Sequence, residues 1–140
     1  MKPAYAIALF IMAGLFNACK KEDISRNSAN PVLFMGECYT PIQTTEPIHL
    51  CFTKVLSESR CPLHGECIWA GTAIAEFTFT KNGQSYPLSL STNHTLMGYP
   101  QDSVIDGYKI EFVNLYPYPD LQAPPPTPAD IKAEIRITRL

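Results

Sequence analysis

From residue 48 onward apolar and polar side chains alternate with a period of two, and this limits the chain to strands with one buried face and one wet face. In 48–55, Ile48, Leu50 and Phe52 share one face, while His49, Cys51 and Thr53 share the other. From 68 to 80 the odd positions carry Trp69, Gly71, Ala73, Ala75, Phe77 and Phe79, against Thr72, Glu76, Thr78 and Thr80. Asn82-Gly83 follows, a pair that tolerates the positive φ angles of a type I′ hairpin turn. The return strand, 85–91, sets Tyr86, Leu88 and Leu90 against Pro87, Ser89 and Ser91. Tyr108, Ile110 and Phe112 make a further face, and Ile131, Ala133, Ile135 and Ile137 stand opposite Lys132, Glu134 and Arg136. With 33–39 included, six or seven strands are expected. Strands wet on one side pair antiparallel, so the predicted fold is an all-β antiparallel sandwich of immunoglobulin-like type, with a small antiparallel β-barrel as the alternative. If the register runs unbroken through 68–80, Cys67 and Trp69 point inward with Phe77 and Phe79. Gly71 marks the place where a bulge would break it.

The front of the chain has a different character. Lys2 is followed by thirteen apolar or small residues, 4–16, and then by Asn17-Ala18-Cys19 and the charged run Lys20-Lys21-Glu22-Asp23. An apolar run of this length suits a signal segment and is too short for a spanning helix, which needs about 20 residues. The layout is that of a bacterial lipoprotein precursor. Residues 1–18 are expected to be removed and Cys19 to take the lipid. Residues 19–31 would then form a tether, and 32–140 a single domain. Lys21-Glu22-Asp23 also resembles the tag that sends some lipoproteins to the outer face of the outer membrane. The expected location is therefore the outer membrane, lipid-anchored and facing outward. A net charge of −2 with no basic run after Lys21 leaves no electrostatic footprint for nucleic acid.

With Cys19 lipidated, four cysteines remain: Cys38, Cys51, Cys61 and Cys67. In an exported protein they read as two disulfides, with three pairings open. The tight loop Cys61-Pro-Leu-His-Gly-Glu-Cys67 favours 61–67 together with 38–51. Cys51, on the face away from Leu50 and Phe52, agrees with that choice.

Glu58-Ser59-Arg60-Cys61-Pro62, followed by Cys67-Ile68-Trp69-Ala70-Gly71-Thr72-Ala73, resembles a motif of small bacterial secreted proteins and lipoproteins. Its form there is Asp-Ser-Arg-Cys-Pro, a short gap, then Cys-x-Trp-Ala-Gly-x-Ala. Glu58 stands where those proteins carry Asp, and the Cys38/Cys51 pair is an addition. Tyr108-Lys109-Ile110-Glu111-Phe112 and Pro117-Tyr118-Pro119 are similar to a later stretch of the same proteins. The resemblance implies a β fold and a disulfide, and carries no reaction. Physically the motif has two readings. In the structural one, Pro62 and Gly65 shape the loop, Trp69 covers the disulfide from within, and Arg60 pairs with Glu58 or caps exposed carbonyls. In the functional one, Arg60, His64 and Trp69 form a binding edge.

Cys61, His64 and Cys67 have a metal-like spacing, but zinc requires thiolates and export oxidises such close pairs, so no metal and no cofactor are expected. His49 and His94 stand alone. The chain has no Gly-x-Ser-x-Gly, no His-Glu-x-x-His and no phosphate loop, and Asp102, Asp106 and Asp120 show no paired spacing. Tyr99, Tyr116 and Tyr118 lie beside turn residues, where rigid aromatic rings suit sugar or peptide recognition. The expected function is a non-catalytic binding or accessory module for an extracellular protein or glycan. The alternatives are a protease inhibitor of immunoglobulin-like type and an envelope hydrolase.

Overall fold

The computed structural model describes residues 30–41, 46–93 and 98–140. The expected signal segment, the expected lipidation site Cys19 and His94 lie outside the described residues. Within them the strands are β1 (Val32–Phe34), β2 (Cys38–Tyr39), β3 (Ile48–Glu58), β4 (Ala73–Lys81), β5 (Gln84–Ser91), β6 (Asp102–Ile105), β7 (Tyr108–Tyr116) and β8 (Lys132–Arg139). They form two four-stranded antiparallel sheets, ordered β1-β8-β7-β6 and β2-β3-β4-β5. The sheets pack face to face and do not close into a barrel, so the sandwich expectation holds over the barrel alternative. The wiring is simple. Sequential strands are neighbours in each sheet, and β1 joins the second meander at β8, which sets the first and last of the described strands side by side.

The alternation explains the core. Phe52 from β3, Phe77 and Phe79 from β4, and Phe112 from β7 are fully buried. Phe52 and Phe77 stack at 5.3 Å between ring centroids, and Phe77 meets Phe112 of the facing sheet edge-on at 5.2 Å. Phe79 meets Tyr108 at 5.8 Å, which continues the aromatic contact between the sheets. Ile48, Leu50, Leu90, Ile110 and Ile135 fill the remaining space. Asn82 and Gly83 adopt φ of 51° and 80°, as the hairpin expectation requires, and Asp106-Gly107 repeats that turn at 48° and 81°. The sheet edges are blunted against further pairing. β1, β2 and β6 are two to four residues long, and β5 carries Pro87, which has no N–H to offer.

Three sequence expectations are corrected. The stretch 33–39 is two strands in different sheets, because the chain turns at Met35-Gly36, with Gly36 at φ 89°. Asn30 and Pro31, read as the end of the tether, already belong to the body. Pro31 is buried and its carbonyl accepts the Ile135 N–H at 3.0 Å, while Asn30 bonds Glu134 and Arg136. The inward register holds from Ala73 onward but not before it. Gly71 sits at φ 69°, where a Cβ would lie 1.8 Å from the Ser59 carbonyl oxygen. Past that break the chain turns outward, so Cys67 is exposed and Trp69 is 48% exposed. Trp69 therefore does not cover the disulfide from within.

Both disulfides form as expected, Cys38–Cys51 and Cys61–Cys67. Cys38 and Cys51 are register partners on β2 and β3, and the bond ties the two-residue edge strand to its neighbour. Cys61–Cys67 closes the loop between β3 and β4.

Candidate functional site

The end of the sandwich that carries the Cys61–Cys67 loop is held by Arg60, which is 7% exposed. Its Nε donates to Glu58 Oε1 at 2.8 Å, and Nη2 donates to Oε2 of the same carboxylate. Nη1 donates to the Leu115 carbonyl at 2.7 Å and to Asn114 Oδ1 at 3.1 Å, and Nη2 reaches the Pro117 carbonyl at 3.4 Å. The guanidinium also lies 4.6 Å from the centroid of the Tyr118 ring. A guanidinium has five N–H donors, and these contacts use them all. Arg60 thus does both things the structural reading allowed, pairing with Glu58 and capping carbonyls at the end of β7. It has no donor left for a ligand, and Tyr118 is engaged with it.

The loop itself docks on the segment after β7. Leu63 N–H donates to the Pro119 carbonyl at 2.8 Å, Leu121 N–H to the Leu63 carbonyl at 3.2 Å, and Leu63 and Asp120 form a parallel bridge. His64, at φ 62°, pairs through Nδ1 with Asp120 Oδ1 at 2.9 Å. The Gln122 N–H, and then His64, hold the pKa of the Asp120 carboxyl below its ordinary value. Pro62 closes the turn by accepting the Gly65 N–H at 3.1 Å. His49 is on the surface and bonds Thr40 Oγ1 at 2.7 Å. Tyr99 lies in the connection between β5 and β6, and its carbonyl accepts from Ser91 Oγ at 2.9 Å.

A groove of about 930 Å³, open to solvent, lies on the outer face of the first sheet. Of the sequence-predicted binding residues it contains Tyr116. Arg60, His64, Tyr99 and Tyr118 are elsewhere. Register explains its composition. Phe34 and Tyr116 are both Cα partners of Lys132, one from each side, so an aromatic, a lysine and an aromatic form a row across β1, β8 and β7. Their neighbours on β8, Ala133 and Ile135, fill the core, so Lys132 and Glu134 face out. Lys132 Nζ sits 4.9 Å from the Phe34 ring centroid. Glu134 accepts from Tyr116 Oη at 3.0 Å and from Asn30 Nδ2 at 3.1 Å. Asp130 accepts from Thr127 Oγ1 at 2.6 Å and Thr127 N–H at 2.9 Å, and these bonds lower its pKa. Pro117, joined to Tyr116 by a cis bond, completes the wall.

The sequence reading had Tyr116, and had Lys132 and Glu134 on the wet face of the last strand, but missed Phe34, Asn30 and Asp130. No local signal pairs β1 with β8, which lie about a hundred residues apart. Among the described residues no group of three or more His, Cys, Asp or Glu could hold a metal ion. Comparison with known protein families, with curated proteins and with solved structures finds nothing that matches this chain.

Proposed function

We propose that this chain is a lipid-anchored outer-membrane protein whose domain is a non-catalytic binding module, and that the ligand of its outer-face groove is a glycan. The observation that carries the reading is the row Phe34–Lys132–Tyr116 beside Glu134 and Asn30. Phe34 and Tyr116 are each about 40% exposed, which leaves ring surface for a sugar to cover. Around them stand a lysine and an amide as donors and two carboxylates as acceptors, the mixture that a polyhydroxyl ligand uses. The preformed bonds of Glu134 to Tyr116 and Asn30 hold that carboxylate in place before a ligand arrives. Asp130, its pKa lowered by the Thr127 bonds, is an ionised acceptor near neutrality.

A glycan array probed with the protein should yield a ligand. Phe34→Ala and Tyr116→Ala should each weaken that binding by about tenfold, the worth of one stacked ring. Both rings lie on the surface, so the melting temperature should stay close to that of the parent. Equal binding by parent and both variants would place the ligand elsewhere, and turnover of a glycan would replace this reading with a hydrolase.

A further inference from the structure

The Cys61–Cys67 end of the sandwich presents apolar side chains that stand exposed among the described residues. Ile68 is 102% exposed, Leu121 67%, Leu63 50%, and Trp69 lies beside them in sequence. They stand on two segments that are tied together and stiff. The disulfide, the Leu63–Pro119 and Leu121–Leu63 backbone bonds and the His64–Asp120 pair fix the geometry. A rigid apolar tip loses little conformational freedom when something covers it. Arg60, the nearest cation in sequence, is turned inward.

Four apolar side chains fall far short of the roughly 800 Å² per partner that a stable protein interface buries. A bilayer boundary asks for less, because a few apolar side chains and a tryptophan at headgroup level add to an existing lipid anchor. The geometry allows the tip to reach the surface. Residues 19–29 span at most about 40 Å when extended. Asn30 bonds Glu134 and Arg136, and from there β8 runs back only a few residues, about 13 Å, to Lys132, where the loops of this end begin. We infer that the tip formed by Leu63, Ile68, Trp69 and Leu121 seats in the headgroup–acyl boundary of the membrane that carries the anchor. This contact fixes the domain's orientation. The inference rests on lipid attachment at Cys19.

Trp69 is the chain's sole tryptophan, so its fluorescence reports on the tip alone. The mature protein, with Cys19 checked by mass spectrometry, is reconstituted into phosphatidylethanolamine–phosphatidylglycerol vesicles, with and without acyl-chain-brominated lipid. The expected result is a blue shift in vesicles and a loss of intensity with brominated lipid. Ile68→Asp combined with Leu121→Asp should abolish both effects while the unfolding midpoint stays unchanged. Lipidated protein whose emission is the same in plain and brominated vesicles overturns the inference. So does a blue shift that appears only when a second protein is added. Unmodified Cys19 in protein that is still quenched would instead refute the anchor and leave the tip's membrane contact standing.

Discussion

Arg60 answers a problem that strands create at the end of a sandwich, where backbone carbonyls run past the last ladder partner. Its guanidinium joins the end of β3 to the Leu115 and Pro117 carbonyls at the end of β7, and Glu58 balances its charge. Removing one partner of a buried charged cluster leaves the others unpaired, which is costlier than the net worth of the cluster. Glu58 is a third exposed and solvent screens part of the loss. Arg60→Ala should therefore cost about 3 kcal/mol by urea unfolding, and Arg60→Lys somewhat less, since lysine keeps the charge but has three donors in place of five. A loss within about 0.5 kcal/mol would mean that the clamp is decorative. Gly71 shows the same economy of space, because its backbone passes so close to Ser59 that no side chain fits.

Between elements, what could be read in the sequence divides by range. Alternation within one strand and turn chemistry between neighbours are local, and they placed β3, β4, β5, β7 and β8 and the hairpin at Asn82-Gly83. Asp106-Gly107 is an equally clear local hairpin signal, one that the reading of alternation alone did not use. The start of β4 was misplaced because Trp69 and Gly71 fit the alternation while the backbone left it at Gly71. Phe34 was out of reach for a different reason. Its partner Lys132 is chosen by sheet assembly, and nothing near either residue records the choice. The disulfides also belong to this scale. Cys38–Cys51 closes the longer loop, at a separation of 13 against 6 for Cys61–Cys67. On chain entropy alone, Cys38→Ser with Cys51→Ser should lower stability by about 3 kcal/mol, and the Cys61/Cys67 pair by about 2.4 kcal/mol. Urea midpoints of the two double variants check the order, and a reversed order would show that the tip depends on its disulfide beyond loop closure.

For the whole molecule, the hydrogen bonds and ion pairs of surface charges set where stability holds. Asp120 and Asp130 have lowered pKa values, so their contribution is complete above the ordinary carboxylate value of 3.8 and is lost as the pH falls through the lowered ones. Lys81, bonded to Glu46 and Asp106, and Lys109, bonded to Asp102, have raised values. Their contribution is complete below 10.5 and is lost as the pH climbs through the raised values. As far as these four groups decide it, the urea midpoint should be level from about pH 5 to 9 and fall at both extremes. Asp120→Asn should lower that level and flatten the acid limb, and an unchanged acid limb would remove Asp120 from the account. The fold therefore offers a stable platform on which the Phe34–Lys132–Tyr116 row is held open to solvent. The most direct test is a titration of isotope-labelled protein with the best array glycan, followed by amide chemical shifts. Shifts concentrated at Phe34, Tyr116, Lys132 and Glu134 are the predicted result. Shifts confined to the β2-β3-β4-β5 sheet, or none at saturating glycan, would contradict it.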